Sequence, residues 1–445
     1  MKKIRLSAVA GKFYPEVKDK LLKQLELFEE NNIHDYTYST RAIIVPHAGY
    51  IYSGQLASNA FQYLDKKAKN VFIIAPPHYM PVESASVSDF ESWSTPLGEI
   101  EVNQQINKEL GKKFGCQIQN DAFLDEHSIE VEIPFIQKYL PEAKIIPILV
   151  SDPKKVTEII EYYWQNPENA FVISSDLSHF YPTQDAKKID YSTAEMIECN
   201  NTQNFDYNRA CGAAGVLGLM EFAKSKKFSL IRVGMYNSGD VTGDNSRVVG
   251  YGSWLLYEGT KGKFIKNYFS DYVIDVCKRS ILAKLNNESL VLDSIPAVFQ
   301  ESGACFVTLE KNGDLRGCIG SIIAHRRLID DLSQNAINSA FSDPRFESLK
   351  KHEFEELEIN VSILSAPEKM EFEDEQDLLS QIKKDIDGII IKDRGYQAVY
   401  LPSVWEQLPE KEMFLKSLKI KAGMVPQYFS DTFEAYRFTT EYIKS

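Results

Sequence analysis

Between Arg41 and Tyr257 six short runs of β-branched and aliphatic residues alternate with amphipathic stretches, and this alternation constrains the fold more than any other feature of the chain. The runs are Arg41 to Val45 (RAIIV), Asn70 to Ala75 (NVFIIA), Ala143 to Val150 (AKIIPILV), Ala170 to Ser174 (AFVIS), Leu230 to Tyr236 (LIRVGMY) and Arg247 to Tyr257. Several are continuously apolar, as strands buried on both faces of a parallel sheet are. Between them, Val17 to Asn31 and Ser53 to Leu64 read as helices; Leu56, Ala60, Phe61 and Leu64 recur at helical spacing, and Ser53 suits an N-cap. The pattern predicts an α/β domain with a central, mostly parallel sheet and helices on both faces.

A chain of 445 residues exceeds one hydrophobic core, so two domains are expected. The polar, glycine-interrupted run Glu258 to Lys263 marks the boundary, giving domains over 1–260 and 268–445. Beyond it the pattern changes. A helix over about Asn267 to Lys284 precedes FVTLEK, an Asn312-Gly313 turn and DLRGCIGS, which together read as a β-hairpin. Leu328, Ile329, Leu332, Ala336, Ile337, Ala340 and Phe341 trace one helix face. Strands about Glu358 to Leu364, Gly388 to Ile391 and Gln397 to Leu401 complete a smaller α+β domain.

The formal net charge of −13 repels phosphate backbones and argues against nucleic-acid or anionic-membrane binding. The first twenty residues contain no apolar h-region, and no stretch approaches the roughly 20 apolar residues that span a bilayer. The six cysteines form no CxxC pair and read as reduced thiols, so a cytoplasmic location is expected. They form no CxxxCxxC cluster motif either, so radical-SAM chemistry requires a separate partner.

Chemistry-bearing residues gather where the strands end. The first run leads into Pro46-His47-Ala48-Gly49, the second into Pro76-Pro77-His78, the fourth into Ser175-Asp176-Leu177-Ser178-His179 and the fifth into Asn237-Ser238-Gly239-Asp240. In an open α/β sheet the loops at the carboxyl ends of parallel strands share one edge, where ligands bind. Histidines with a carboxylate suit iron, zinc, manganese or copper, and two histidines with one carboxylate leave positions open on iron(II). A further histidine can shuttle protons at neutral pH. His127, in Asp125-Glu126-His127-Ser128, belongs either to this cleft or to a surface turn, while His34 reads as solvent-facing. Cys211-Gly212-Ala213 opens an apolar helix, where close packing through small residues is the simpler reading and a place in the pocket the alternative. Asp240 and Asp244 are alternatively a Gly-Asp turn before the last strand.

The strings AVAGKFYP, PHAGYIYSG, APPHY, DEHSIEVEIPF, SSDLSHF and YNSGDVTGDNSRVVGYGS resemble the Memo family, in order over residues 7–253. That family is similar in fold to class III extradiol dioxygenases, and the resemblance implies a metal-capable pocket at His47, His78 and His179. Eukaryotic Memo proteins place a cysteine after the fifth strand, where this chain has Gly239 and Asp240. The resulting expectation is His47, His78 and Asp240 as ligands of a divalent transition metal, iron(II) favoured over zinc or copper. His179 is then the acid/base, with Asp176 or His127 orienting it. The implied activity is that of a metal-dependent redox or dioxygenase-like enzyme acting on a small organic substrate. A metal-assisted hydrolase or lyase, and a non-catalytic metal-handling or peptide-binding scaffold, are the alternatives.

LRGCIG at Leu315 to Gly320, SAFSDPRFESL at Ser339 to Leu349 and INVSILSAPE at Ile359 to Glu368 resemble the AMMECR family over about 270–440. Arg316 beside Cys318 suggests a reactive thiolate or an anion site, against the alternative of a buried structural cysteine between tightly packed glycines. Asp343-Pro344-Arg345-Phe346 reads as a turn held by an ion pair and an aromatic plug. Memo-like and AMMECR-like proteins are associated with a radical-SAM protein, which the resemblance implies as a partner of the fused pair.

Overall fold

The computed structural model describes residues 2–32 and 37–445, so His34 lies outside the described residues. The chain divides into two compact units, Met1–Gly259 and Thr260–Ser445.

The first unit is built on a nine-stranded sheet. Its strands are β1 (Ala42–Val45), β2 (Asn70–Ala75), β3 (Ala85–Val87), β4 (Gln117–Ile118), β5 (Lys144–Val150), β6 (Asn169–Ser174), β7 (His179–Tyr181), β8 (Ser229–Asn237) and β9 (Val248–Tyr257). The order is β7-β9-β1-β6-β2-β5-β3-β4, with β8 also paired to β9. The central four, β1, β6, β2 and β5, are mutually parallel. Every residue of β1 and β6 is buried, which is why β1 and the Ala170–Ile173 stretch of β6 read as apolar runs. Strand β9 runs antiparallel to both β1 and β8. Only the segment between Asn237 and Val248 joins β8 to β9, shorter than the dozen or more residues a parallel crossover needs. The sheet is therefore mixed, parallel at its centre.

Helices cover both faces. They include α1 (Lys18–Glu30), α2 (Tyr50–Phe61), α3 (His127–Glu130), α4 (Ile133–Tyr139), α5 (Pro153–Tyr163), α6 (Thr183–Glu198), α7 (Ala213–Lys226) and α8 (Ser238–Thr242). On one face Val156, Ile159 and Ile160 of α5 and Val216, Leu219 and Met220 of α7 pack on Ile44, Phe72, Ile146 and Phe171. On the other, Phe61 of α2 stacks on Phe135 of α4 at 5.1 Å between ring centroids. Helix α2 begins after Gly49, so Ser53 is an interior, buried position rather than its cap.

The N-terminal segment is pinned beneath α3. Arg5 and Glu130, both buried, form an ion pair, while Glu130 also accepts from the backbone N–H of Ala8 (2.8 Å) and Val9 (3.0 Å) and from the Tyr14 hydroxyl (2.6 Å). Arg5 Nη2 donates to the Glu126 carbonyl at 2.9 Å, and the guanidinium lies over Trp93. This network fixes the loop that carries Glu126 and His127.

The second unit opens with α9 (Lys261–Asn286), which starts inside the run expected to be a linker because the Thr260 side chain caps it, accepting from Lys263 N–H. Its strands are β10 (Cys305–Lys311), β11 (Asp314–Gly320), β12 (Leu357–Leu364), β13 (Glu368–Met370), β14 (Gly388–Asp393), β15 (Tyr396–Tyr400), β16 (Glu434–Phe438) and β17 (Thr440–Lys444). They form two antiparallel sheets, β11-β10-β12-β17 and β13-β16-β14-β15. The β10-β11 hairpin turns through Asn312 and Gly313, both at positive φ, the backbone a two-residue hairpin loop requires. Helix α10 (Leu328–Phe341) packs on the first sheet. Among the described residues no helix is long and apolar enough to cross a membrane.

Candidate metal centre

The carboxyl ends of β1, β2 and β6 meet at one edge of the sheet, and the side chains that follow them converge. His47 follows β1 and is buried; its ring centroid lies 5.1 Å from that of His78, which follows β2. Cys211 reaches the same point from the start of α7, with Sγ 3.2 Å from His47 Nε2. One ligand atom each from His47, His78 and Cys211 lie within 4.8 Å of one another.

Backbone packing brings the cysteine there. Cys211 N–H donates to the Asp176 carbonyl at 3.2 Å, and Asp176 N–H donates to Cys211 Sγ at 3.2 Å. The next residue is glycine because a Cβ at 212 would meet the Ser174 carbonyl oxygen at 2.4 Å and Ser175 Cβ at 2.6 Å. The small residues of this segment thus do pack closely, and the packing delivers the thiol into the cluster.

The two histidines are oriented by their outward-facing nitrogens. His78 Nδ1 pairs with Glu126 Oε1 at 2.9 Å, and the same carboxylate accepts from His78 and Ser128 backbone N–H. His47 Nδ1 lies 2.7 Å from Ser174 Oγ. That hydroxyl donates toward the Ser128 carbonyl (2.7 Å) or Glu132 (3.1 Å), so its lone pair accepts the His47 Nδ1 proton. Each ring therefore has Nδ1 committed to an acceptor, the arrangement that fixes ring direction in metal-binding histidines.

Burial disfavours the charged forms of His47 and Cys211. Burial, reinforced by His78, His127 and His179, holds His47 well below the usual imidazole range, and burial likewise lowers His127 to about 4. Burial raises the Cys211 thiol and lifts Asp176 to about 7, the latter against the hydrogen bond from His47 N–H at 2.9 Å. Burial also raises Glu132, while at Glu126 it is outweighed by the His78 and Ser128 hydrogen bonds, which bring that carboxyl down to about 2. A neutral imidazole at His47 and a thiol at Cys211, with the His78 ring beside them, are a donor set that a divalent cation can occupy by displacing protons. Thiolate and imidazole together suit zinc, iron(II) and copper. The residues present fit a transition metal.

His127 joins the cluster: its ring stacks on His78 at 4.6 Å between centroids and lies 5.5 Å from His47, with Nδ1 buried and without a hydrogen-bond partner. His179, on β7, donates Nδ1–H to the Leu177 carbonyl at 2.8 Å, which leaves Nε2 as a base near enough to influence His47. The following residue, Phe180, sits at a φ of 65°, strained for a bulky side chain.

Asp240 is not part of this group, a correction to the sequence-based ligand set. Asn237 accepts from Asp240 N–H while Asp240 Oδ2 accepts from Asn237 N–H, a capping box that starts α8, and Asp240 Oδ1 binds Lys187 Nζ at 2.8 Å. Strand β9 separates β8 from β1, so α8 opens at the outer side of the edge. Asp244 binds the Ser246 backbone and hydroxyl in an exposed turn. The N-x-x-D spacing carried the capping signal. The residues missed from sequence, Ser174, Glu126 and Glu132, also left a trace, since the carboxylates of DEHSIEVE interleave with Ile129, Val131 and Ile133, which must be buried.

In the second unit Arg316 pairs with Glu353 (Nε to Oε1 3.1 Å, Nη2 to Oε2 3.2 Å), while its Nη1 is buried without a hydrogen-bond partner. Cys318 donates its N–H to Asp343, and Arg345 pairs with that same carboxylate while its guanidinium lies over Phe346.

Residues 5–255 match the family model described as Memo-like protein, and residues 274–443 match the AMMECR1 model. A MEMO1 family protein of Thermoplasma acidophilum is 34% identical over 264 residues, covering 56% of this chain and 97% of its own. One from Aquifex aeolicus is 34% identical over 265 residues, with the same coverage, and one from Methanocaldococcus jannaschii 32% over 292 residues, covering 58% of this chain and all of its own. Among solved structures, uncharacterized protein PH0010 from Pyrococcus horikoshii is 30% identical, with a TM-score of 0.37 over 39% of this chain and 89% of that one.

Proposed function

We propose that this chain, which belongs to the Memo family through its first unit and carries an AMMECR1 domain in its second, is a metal-dependent enzyme whose ion is held by His47, His78 and Cys211. The observation that carries the reading is the convergence of one ring nitrogen each from His47 and His78 and the Cys211 sulfur within 4.8 Å. Iron(II) is the favoured ion, with zinc or copper as alternatives the same donors accept. Bound there, a divalent ion supplies Lewis acidity and, if redox-active, electron transfer to a small organic substrate.

The chain's own residues account for the rest. His179 Nε2 is the base or acid, since its other nitrogen is committed to the Leu177 carbonyl. Asp176 holds the loop after β1 through His47 N–H. His127 walls the site on the His78 side and excludes water from the imidazole edges. A radical-SAM protein is the proposed partner, supplying or consuming the substrate, and the six cysteines, none in a disulfide, support a reducing, cytoplasmic setting.

Anaerobic purification with metal analysis tests this. Wild type, Asp240→Ala and His179→Ala are expected to retain equal metal and His47→Ala to lose it. Equal, substoichiometric metal in all four would overturn the site.

A further inference from the structure

The face of the β11-β10-β12-β17 sheet turned away from α10 carries a row of polar side chains with no role in the metal centre. Register places Cys318 opposite Thr308, Thr308 opposite Asn360, and Asn360 opposite Lys444. Directly paired positions share a sheet face, so the four stand in one line. The opposite face is the packed one: Val307 and Leu309 are buried, Ser339 of α10 donates to the Val307 carbonyl, and a Cβ on Gly317 would meet the Ser339 carbonyl oxygen at 2.1 Å. Cys318, one residue on, points away from that contact.

Within the row the Thr308 hydroxyl donates to Cys318 Sγ at 3.3 Å, and both residues are partly accessible. Asn360 is different. It is only 1% exposed, yet neither its Oδ1 nor its Nδ2 has a hydrogen-bond partner. A buried amide left with both an unmet donor and an unmet acceptor is costly, and a group presenting one acceptor and one donor side by side relieves both. Its outer neighbours, Lys444 opposite and Tyr442 two positions along, are exposed side chains that can move without unpacking the core.

We propose that Cys318, Thr308 and Asn360 form a binding site for a ligand that carries an amide. Asn360 pairs with the C=O and N–H of that amide, and the Cys318 thiol lies at the other end of the site. Two strand spacings, about 9.6 Å, separate the Cys318 and Asn360 backbones. Both side chains stand on the same face with Thr308 between them, so a ligand whose amide meets Asn360 lies along Thr308 toward the sulfur. A carboxylate fits less well at Asn360, because it would set an oxygen against Asn360 Oδ1 and offer no donor to it.

Iodoacetamide and iodoacetate differ only in carrying a carboxamide or a carboxylate. With either, the Cys318 sulfur displaces iodide to form a thioether and its proton passes to buffer. Labelling rates on the full-length chain, resolved by peptide mass spectrometry, give an amide-to-acid ratio at Cys318 and at the exposed Cys199. The ratio at Cys318 is expected to exceed that at Cys199 about tenfold, the value of 1.4 kcal/mol of selective pairing. In Asn360→Leu it is expected to fall to the Cys199 value. Equal ratios in the wild type, a preference for iodoacetate, no labelling of Cys318 by either reagent, or an unchanged preference in a folded Asn360→Leu would each overturn the proposal. The wild-type comparison decides if that variant does not fold.

Discussion

Replacing Glu130 with alanine removes the partner of a fully buried guanidinium. Arg5 is 1% exposed and Glu130 0%, so the residual charge has no access to solvent, and breaking such a pair costs about 3–5 kcal/mol. Ala8 N–H, Val9 N–H and the Tyr14 hydroxyl lose their acceptor as well, which places the expected loss at the upper end. For a unit of 259 residues, an unfolding entropy of about 2.1 cal/mol/K per residue converts this into a fall of about 6–9 °C in the midpoint of its thermal transition. Scanning calorimetry of the full chain measures it. The double variant Arg5→Met/Glu130→Leu, which removes both charges, is expected to recover most of the stability. A shift under 2 °C for Glu130→Ala, or a double variant no more stable than the single one, would refute the view that this pair anchors the N-terminal segment.

Three further outcomes follow from the same geometry. Glu126→Gln leaves His78 without its carboxylate and is expected to weaken zinc affinity 10–100-fold in a chelator competition. Asp240→Ala removes one arm of the α8 capping box and is expected to cost about 1 kcal/mol in urea unfolding, with metal content unchanged. Asp190 is raised to about 6 by burial, against the Ser178 hydrogen bonds. Between the unfolded value of about 3.9 and that folded value the native chain holds the extra proton, so stability falls as pH rises across this window, by on the order of 2–3 kcal/mol. Asp190→Asn is expected to flatten that slope while keeping an oxygen for Ser178 N–H.

The sheet was legible in the sequence because burial on both faces leaves only apolar residues in β1 and between Asn169 and Ser174 at the ends of β6. Strand direction was not, since β8 and β9 read as apolar runs whichever way they point, and only the short link between them determines it. His47 and His78 were legible for a related reason: a polar residue immediately after a buried parallel strand has one edge on which to emerge. Cys211 was harder. It precedes a helix rather than following a strand, and its approach depends on the absence of a side chain at Gly212, which the sequence records without saying which backbone it meets. Asp240 misled because a carboxylate that caps a helix and one that binds a metal can occupy the same turn. The capping spacing from Asn237 was the clue that distinguishes them.

Cobalt(II) titration of the anaerobic, metal-free chain tests the central claim most directly, because a thiolate bound to cobalt produces a near-ultraviolet charge-transfer band that imidazole and carboxylate do not. The account predicts one equivalent of cobalt with that band in the wild type, its loss in Cys211→Ser, and its persistence in Asp240→Ala. A wild-type spectrum without the band, or a band unchanged in Cys211→Ser, would contradict it.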